Sequence, residues 1–288
     1  MKWLLWGDGW ISSYVKKILA DMNEEYVIAK SRADNEDDVE KELLDVKPDR
    51  VISLIGRTSG PGFNTIDYLE QKGKLVENVR DNLYAPFVLA MVCKKHGFYL
   101  VYLGTGCIFS AEEEDYGDGY TEEDKPDFVG SSYSTVKGFT DRMMHFFEDT
   151  VLTLRLRMPI SSDINSRNFV TKITKYQKIC SILNSMSVLD ELLPLLVDMS
   201  KKKVTGIVNF TNPGIISHDE ILTMYREIVD PNFTWENFTL EDQSKILMAG
   251  RSNNKLNTDK LQQLYPNILP IKDAVRKVLY KMKENMEK

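Results

Sequence analysis

The sequence has few cysteines, no long hydrophobic run and no excess of basic residues, and each absence excludes a class of protein. Its three cysteines, Cys93, Cys107 and Cys180, are an odd number without the spacing of a disulfide framework. The opening apolar run, Trp3–Trp6, is far shorter than a signal-peptide core or a membrane span. Asp plus Glu outnumber Lys plus Arg by 43 to 37, and the net charge of −6 gives no overall attraction to nucleic acid or anionic lipid. We therefore expect a reduced, cytoplasmic protein with no membrane, nucleic-acid or metal partner.

What the sequence does contain is an alternation of short apolar runs and helical patterns. The runs are rich in Val, Ile, Leu and Tyr and lie at Lys2–Trp6, Tyr26–Ala29, Arg50–Ile55, Tyr99–Leu103 and Val151–Arg157. Amphipathic helical spacing lies between them at Glu36–Val46, Lys74–His96 and Ser134–Phe147. This alternation predicts an α/β fold with a Rossmann-type, doubly wound parallel sheet.

A turn that contains two glycines follows the first predicted strand and opens a helix. Its residues are Gly7, Asp8, Gly9, Trp10, Ile11 and Ser12. This context predicts a dinucleotide site, because bare backbone and a helix N-terminus can meet a pyrophosphate, although Ser12 replaces the third glycine of the usual fingerprint. After the second strand, where an NAD enzyme usually has a carboxylate, the chain has Lys30-Ser31-Arg32. Arg32 favours the extra phosphate of NADPH, with NADH as the alternative.

The alternation of strands and helices loosens after Pro159. We expect residues 1–158 to form an NADP-binding Rossmann domain and residues 159–288 to form a smaller C-terminal substrate-binding region. A strand predicted at Gly206–Thr211 is expected to return to the main sheet.

A hydroxyl, a tyrosine and a lysine occur in the order found in reductases that pass hydride to a carbonyl carbon. Thr105 follows the fourth predicted strand, at the sheet edge where α/β folds bind ligands. Tyr133 and Lys137 are one helical turn apart, so the ammonium group is expected to lower the pKa of the phenol and to hold the nicotinamide ribose. Cys107, two residues after Thr105, indicates a second chemistry. Asn82, before the same strand, is interpreted as a structural anchor.

Several longer segments resemble the extended short-chain dehydrogenase/reductases that act on nucleotide sugars. The resemblance covers nearly the whole chain and is strongest to the plant bifunctional UDP-4-keto-6-deoxy-D-glucose 3,5-epimerase/4-keto-reductases. The segments that carry it are Thr105–Phe109, Arg155–Asp163, Arg167–Thr174, Asn184–Met186, Asp190–Pro194, Asn209–Gly214 and Arg251–Asn254. It implies epimerisation at C3 and C5 of a UDP-4-keto sugar, NADPH-dependent reduction at C4 to UDP-L-rhamnose, and a homodimer.

The same resemblance nominates Cys107 and Lys172 as the acid–base pair. The protons on C3 and C5 are both α to the ketone, so inversion needs one group to remove a proton and another to return it on the opposite face. The sequence does not assign either group to one carbon. Related 4,6-dehydratases have Asp-Glu directly after the catalytic threonine, where this chain has Gly106-Cys107. We therefore expect a separate dehydratase to supply the 4-keto substrate.

Substrate contacts are expected from Arg251, Asn168 and Asn253, which offer cationic and amide groups, and from Phe169, which can wall the sugar. The choice between a UDP and a dTDP handle stays open. Two alternatives are a 4-keto-reductase without epimerase activity and a non-catalytic, NADP-binding regulatory subunit. Retention of Thr105, Tyr133 and Lys137 disfavours the second alternative.

Overall fold

A six-stranded parallel sheet forms the centre of the computed structural model, which describes residues 1–287. The strands are β1 (Lys2–Trp6), β2 (Glu25–Ile28), β3 (Arg50–Ser53), β4 (Leu100–Thr105), β5 (Val151–Leu156), β6 (Lys178–Ile179), β7 (Gly206–Asn209) and β8 (Glu236–Asn237). The large sheet has the order β2-β1-β3-β4-β5-β7, while β6 and β8 pair separately. All of its pairings are parallel, and β7 lies beside β5. The predicted α/β fold with a doubly wound parallel sheet is confirmed.

The strand order predicts a ligand site at the carboxyl ends of β1 and β3. From β1 the chain runs outward to β2 and then crosses to β3 on the other side of β1. In sheets of this kind ligands bind outside the carboxyl ends of the strands where the order reverses. The turn after β1 and the segment after β3 therefore border the predicted dinucleotide site.

Helices cover both faces of the sheet and continue into the C-terminal region. They are α1 (Trp10–Asp21), α2 (Glu36–Val46), α3 (Leu75–Val79), α4 (Ala85–His96), α5 (Ser132–Met144), α6 (Phe169–Ile173), α7 (Leu189–Lys201), α8 (His218–Ile228), α9 (Leu240–Ser244), α10 (Asp259–Leu264) and α11 (Ile271–Met286). None of the helices in the described range is long and apolar enough to span a membrane.

The segment predicted as one helix from Lys74 to His96 contains a π-helical turn at Arg80–Tyr84, between α3 and α4. Asn82 lies in this turn, is fully buried, and binds the Arg57 backbone through both its oxygen and its nitrogen, each at 2.9 Å. The Thr140 hydroxyl donates to the Asn82 carbonyl at 2.6 Å. Asn82 thus joins α5 to the segment after β3, and its position explains why the helix departs from regular geometry there.

Three apolar clusters hold these layers together. Val15 of α1 and Leu196 of α7 belong to the cluster on one face of the sheet. Val39 of α2 and Leu89 of α4 belong to the cluster on the opposite face. The third cluster, which includes Val275 of α11, lies within the C-terminal region among α6, α8 and α11. Both faces of the sheet are therefore covered, as the near-continuous apolar strands require.

Candidate active site

The structure brings Thr105, Cys107 and Tyr133 together at the carboxyl end of β4. Thr105 is the last residue of β4, and its hydroxyl accepts a hydrogen bond of 3.1 Å from the Cys107 backbone N–H. Tyr133 lies in the first turn of α5, whose N-terminus is capped by Ser131. Its ring packs in an apolar cluster that also contains Cys107 and Tyr68. The Thr105 hydroxyl is close enough to the Tyr133 phenol to act on its pKa.

Burial has the largest effect on the pKa values of Tyr133 and Lys137, the two predicted catalytic residues of α5. Burial raises the pKa of Tyr133 well above its usual value, charge on Cys107 raises it further, and the Thr105 contact lowers it in part. Burial also lowers the pKa of Lys137 to about 7, against the opposing effect of the Asp141 charge. Burial therefore leaves the pKa of Tyr133 raised on balance, and the expectation that Lys137 lowers it stays a prediction.

The Lys137 ammonium group is directed at Tyr102, a residue that sequence reasoning missed. Its Nζ donates to the Tyr102 hydroxyl and lies 4.6 Å from the centre of the Tyr102 ring. Tyr102 is fully buried on β4, three residues before Thr105. The signal was available in the sequence, because a tyrosine in a buried strand needs a partner for its hydroxyl.

Lys172 lies in α6, and its amine is partly buried. Burial lowers the pKa of Lys172, and the positive charges of Arg167 and Arg251 lower it further. The structure therefore brings two predicted site residues, Lys172 and Arg251, close enough for their charges to interact. A lysine that loses its proton more readily than usual is suited to acid–base work.

Asn168 is fully buried, and its amide is occupied within the chain. Its side-chain oxygen accepts from the Val170 N–H at 3.2 Å, which caps α6, and its nitrogen donates to the carbonyls of Ser161 and Asp163 at 2.8 and 2.7 Å. These contacts replace the predicted substrate contact with a positioning role, since Asn168 sets the start of the helix that carries Lys172. The half-buried Phe169 ring lies 5.2 Å from the His218 ring, so the prediction that it walls the sugar stays a prediction.

Arg251 is held in place by Asp67, another residue that sequence reasoning missed. Its Nη2 lies 2.6 Å from the Asp67 carboxylate, which also accepts from the Ala249 N–H at 2.9 Å. Burial alone would raise the pKa of Asp67, but the Arg251 contact and further hydrogen bonds leave it lowered. The oxygen of the Asn253 side chain accepts from Asn184 at 3.0 Å. Asp67 thus orients Arg251.

The turn after β1 has the features that a dinucleotide pyrophosphate requires. Gly7 has a φ of +103°, and a side chain there would lie 3.1 Å from the Leu54 backbone after β3. Gly9 caps α1 without a side chain, and a Cβ there would meet nothing within 4 Å. Ser12 is buried, with a hydroxyl that has no partner within residues 1–287. An open helix N-terminus at the point where the strand order reverses fits a dinucleotide.

Other residues of the predicted cofactor site have partners already. The Trp10 indole N–H donates to Asp163 at 2.9 Å, Ile11 packs against the core, and the Asp8 carboxylate pairs with Lys16 at 2.5 Å. Arg32 lies exposed beyond β2 and pairs with Asp34 at 2.9 Å. An exposed guanidinium in this position remains accessible to an anionic group of a cofactor.

The chain is similar over its full length to proteins of one class. No family model matches it. A crystal structure of a UDP-rhamnose synthase from Acanthamoeba polyphaga mimivirus is 57% identical, superimposes with a TM-score of 0.96, and is matched over 98% of this chain and 99% of that one. A bifunctional dTDP-4-dehydrorhamnose 3,5-epimerase/dTDP-4-dehydrorhamnose reductase from Arabidopsis thaliana is 41% identical over 97% of this chain and 92% of its own length. The chain therefore belongs to the family of bifunctional nucleotide-sugar epimerase-reductases.

Other epimerase-reductase relatives are longer. A trifunctional UDP-glucose 4,6-dehydratase/epimerase/reductase from Arabidopsis thaliana is 42% identical over 97% of this chain, but the match spans only 42% of that protein. The structure of a dTDP-4-dehydrorhamnose reductase from Bacillus anthracis in complex with NADP superimposes with a TM-score of 0.77 at 15% identity, covering 96% of this chain and 98% of that one. That likeness shows the shared fold.

Family membership agrees with the packing around Gly106. A Cβ at Gly106 would lie 2.6 Å from Leu256 and 3.0 Å from the Arg157 side chain, and both of these residues are buried. A side chain at position 106 would force the core of this epimerase-reductase to move. Position 106 therefore has no room for the aspartate that is expected there in related dehydratases.

Proposed function

We propose that this chain converts UDP-4-keto-6-deoxy-D-glucose to UDP-L-rhamnose by 3,5-epimerisation and NADPH-dependent reduction of the C4 ketone. The observation that carries the proposal is the meeting of Thr105, Cys107 and Tyr133 at the end of β4. The relatives support it, since one is a UDP-rhamnose synthase matched over almost all of both chains. A nicotinamide cofactor belongs to this activity, and the open turn between Gly7 and Ser12 fits its pyrophosphate.

Epimerisation uses the acidity of carbons next to the ketone. One member of the pair Cys107 and Lys172 removes a proton from C3 or C5, and the electrons of the broken C–H bond move onto the C4 oxygen as an enolate. Hydrogen bonds from Tyr133 and Thr105 stabilise that oxygen. The other member then returns a proton to the opposite face of the carbon. The lowered pKa of Lys172 favours proton release at neutral pH.

Reduction completes the sequence in the same pocket. When bound, the reduced nicotinamide supplies the hydride that the C4 carbon accepts. Tyr133 donates its phenolic proton to the C4 oxygen, and its raised pKa keeps that proton in place until the oxygen becomes basic. Lys137 holds the nicotinamide ribose, and Thr105 polarises the carbonyl.

The two parts of the chain divide this work. Residues 1–158 carry the cofactor turn and the Thr105, Tyr133 and Lys137 groups, and residues 159–288 carry Lys172, Arg251 and the third apolar cluster. Residues 206–209 form β7 and belong to the main sheet. We assign cofactor binding to the first part and sugar binding to the second.

The function is tested by NMR in heavy water. The purified protein is given UDP-4-keto-6-deoxy-glucose with and without NADPH, and deuterium is followed at C3 and C5. We expect deuterium at both carbons without cofactor, and UDP-L-rhamnose only when NADPH is present. NADPH oxidation without deuterium entry would establish a reductase without epimerase activity, and neither signal would establish a non-catalytic subunit. With UDP-glucose as substrate no product is expected until a separate 4,6-dehydratase is added.

Cofactor preference is predicted to depend on Arg32. The change Arg32→Ala removes the exposed guanidinium after β2 and is expected to raise the KM for NADPH by about tenfold, the effect of losing one charge-assisted contact, while leaving the KM for NADH unchanged. Steady-state kinetics with both cofactors measure this. Asp34→Asn is the matched control, because it removes the partner of Arg32 and should leave the KM for NADPH equal or lower. An unchanged KM in Arg32→Ala would rule out this role.

A homodimer is proposed through the apolar surface formed by α3, the π-helical turn after it, α5 and the turn that follows α5. Its large exposed side chains are Leu75, Val76, Tyr84, Phe139 and Phe146, with exposed fractions from 46% to 79%. A patch of this kind on neighbouring helices marks an interface. Light scattering is expected to give twice the chain mass of 33.2 kDa, and Val76→Lys combined with Phe139→Lys is expected to give the monomer. A wild-type monomer at micromolar concentration would contradict the proposal.

A further inference from the structure

Arg157 is a fully buried guanidinium whose hydrogen-bond acceptors are all uncharged. It follows β5, its side chain has no exposed surface, and each of its N–H groups has a partner. The acceptors are the carbonyls of Gly106, Ser185 and Ser252, the Ser252 hydroxyl and the Asn184 side-chain oxygen, at distances from 2.6 to 3.2 Å. Within the described residues it forms no ion pair. A buried charge without an opposite charge is costly, and proteins retain few of them.

Arg155, two residues earlier, shows how the charge of a buried arginine is usually neutralised. It is equally buried, but its Nε and Nη2 donate to the two carboxylate oxygens of Asp141 at 2.9 and 2.7 Å. This is a bidentate, charge-neutral pair. Arg155 lies in β5 and Arg157 directly follows it. The lack of a carboxylate partner is therefore specific to the immediate surroundings of Arg157.

The group that Arg157 faces is the Thr105-Gly106-Cys107 turn. Its Nη1 donates to the Gly106 carbonyl at 3.1 Å, and its stem fills the space a side chain at Gly106 would need. Asn254 donates to the same carbonyl at 3.0 Å, so the carbonyl before Cys107 is held from two sides. Burial lowers the pKa of Arg157, and negative charge on Cys107 or Tyr116 would oppose that effect.

We propose that Arg157 is a positioning residue for epimerisation, which holds Cys107 in place through the Gly106 carbonyl and provides the positive charge that stabilises the Cys107 thiolate. This inference rests on the proposed function, in which Cys107 exchanges a substrate proton. The other titratable groups that interact with Cys107 are Tyr133 and Lys137 of α5. The two cations near Cys107 are thus Arg157 and Lys137. Burial lowers the pKa of Lys137 to about 7, whereas an arginine remains charged throughout the working range.

The test is alkylation of Cys107 by iodoacetamide as a function of pH, in a chain where Cys93 and Cys180 are replaced by alanine. Both of those thiols are buried and free, so their removal leaves one reactive group to follow by mass spectrometry. Arg157→Met keeps the stem beside Gly106 and removes the charge. The pH midpoint of alkylation is expected to rise by roughly one unit or more, as when a nearby opposite charge is lost. Arg157→Lys restores a charge and is expected to return the midpoint most of the way.

Ser252→Ala is the matched control, because it deletes one Arg157 contact and leaves the guanidinium in place. Its midpoint should equal that of the parent, whereas a shift as large as that of Arg157→Met would overturn the charge role in favour of simple packing. An unchanged midpoint in a folded Arg157→Met variant would also overturn it. If Arg157→Met does not fold, Arg157→Lys and Ser252→Ala decide, since each retains a positive charge. A midpoint displaced from that of the parent by roughly one unit or more in either variant contradicts the proposal.

Exchange kinetics separate this inference from the proposed function. Arg157→Met is expected to slow deuterium entry at the carbon served by Cys107, and to do so most at low pH, with rescue by Arg157→Lys. Reduction of UDP-4-keto-L-rhamnose should change far less than exchange. If the parent protein exchanges no deuterium, the proposed function fails, while the alkylation midpoints still report on Arg157.

Discussion

Cys107→Ser is expected to slow deuterium exchange at the carbon that Cys107 serves by about 10²- to 10⁴-fold, the usual contribution of a general acid or base. A serine hydroxyl holds its proton far more tightly than a thiol does. The substitution keeps the size of the side chain and the backbone hydrogen bond from residue 107 to the Thr105 hydroxyl. NMR in heavy water gives the rate at C3 and C5 separately, so the result also shows which carbon Cys107 serves.

The matched control is Cys180→Ser, which makes the same chemical change at a buried thiol outside the apolar cluster of Cys107 and Tyr133. It should leave both exchange rates within about twofold. Reduction of UDP-4-keto-L-rhamnose by Cys107→Ser is expected to stay within a few-fold of the parent rate, because that step uses Tyr133 and not the thiol. Undiminished exchange at both carbons in Cys107→Ser would remove Cys107 from the mechanism and favour the reductase without epimerase activity.

Tyr133→Phe is expected to lower the rate of NADPH oxidation by about 10²- to 10⁴-fold, because the C4 oxygen loses its proton donor. The phenol is buried, and its raised pKa keeps it protonated across the neutral range, so water cannot readily substitute for it. Deuterium exchange should also fall, since the same hydroxyl stabilises the enolate oxygen. Single-turnover measurements of NADPH absorbance and NMR exchange give the two effects.

Tyr68→Phe is the control for this variant. Tyr68 packs in the same apolar cluster as Tyr133, but its hydroxyl donates to Glu77 at 2.8 Å. Loss of that hydroxyl is expected to change NADPH oxidation by no more than a few-fold. Equal losses in Tyr68→Phe and Tyr133→Phe would mean that the cluster acts through packing, and the proton-donor role of Tyr133 would fall.

Much of the fold was predictable from local patterns. The first predicted strand and the helix Glu36–Val46 have the bounds that the structure shows, and the other predicted strands differ by one or two residues at their ends. The short strands β6 and β8 were not predicted. Strand and helix periodicities depend on neighbouring residues, which is why these predictions succeed. The π-helical turn at Arg80–Tyr84 was not predictable, because Asn82 departs from regular geometry to reach the Arg57 backbone, which is 25 residues away in sequence.

The site residues divide in the same way. The order Thr105, Tyr133, Lys137 predicted a reductase, and the resemblance nominated Cys107 and Lys172. The protonation behaviour of Tyr133 and Lys137 followed from burial, which no spacing reveals: the phenol gains affinity for its proton and the amine loses it. Asn168 was also not predictable from spacing. Its side-chain amide is of a type that could bind a sugar, but it donates to the backbone carbonyls of Ser161 and Asp163.

The sequence by itself determined the class of fold, the strand that presents Thr105 and the kind of chemistry, since these depend on residue types and short spacings. Only the tertiary structure decided which buried charges are paired. Arg155 meets Asp141, whereas Arg157 meets neutral oxygens and the Cys107 turn. Tyr102, 35 residues before Lys137, provides the contact for its ammonium group. The physical reason is that the packing of helices and strands determines which groups a buried polar side chain meets. These contacts join residues that are far apart in the chain.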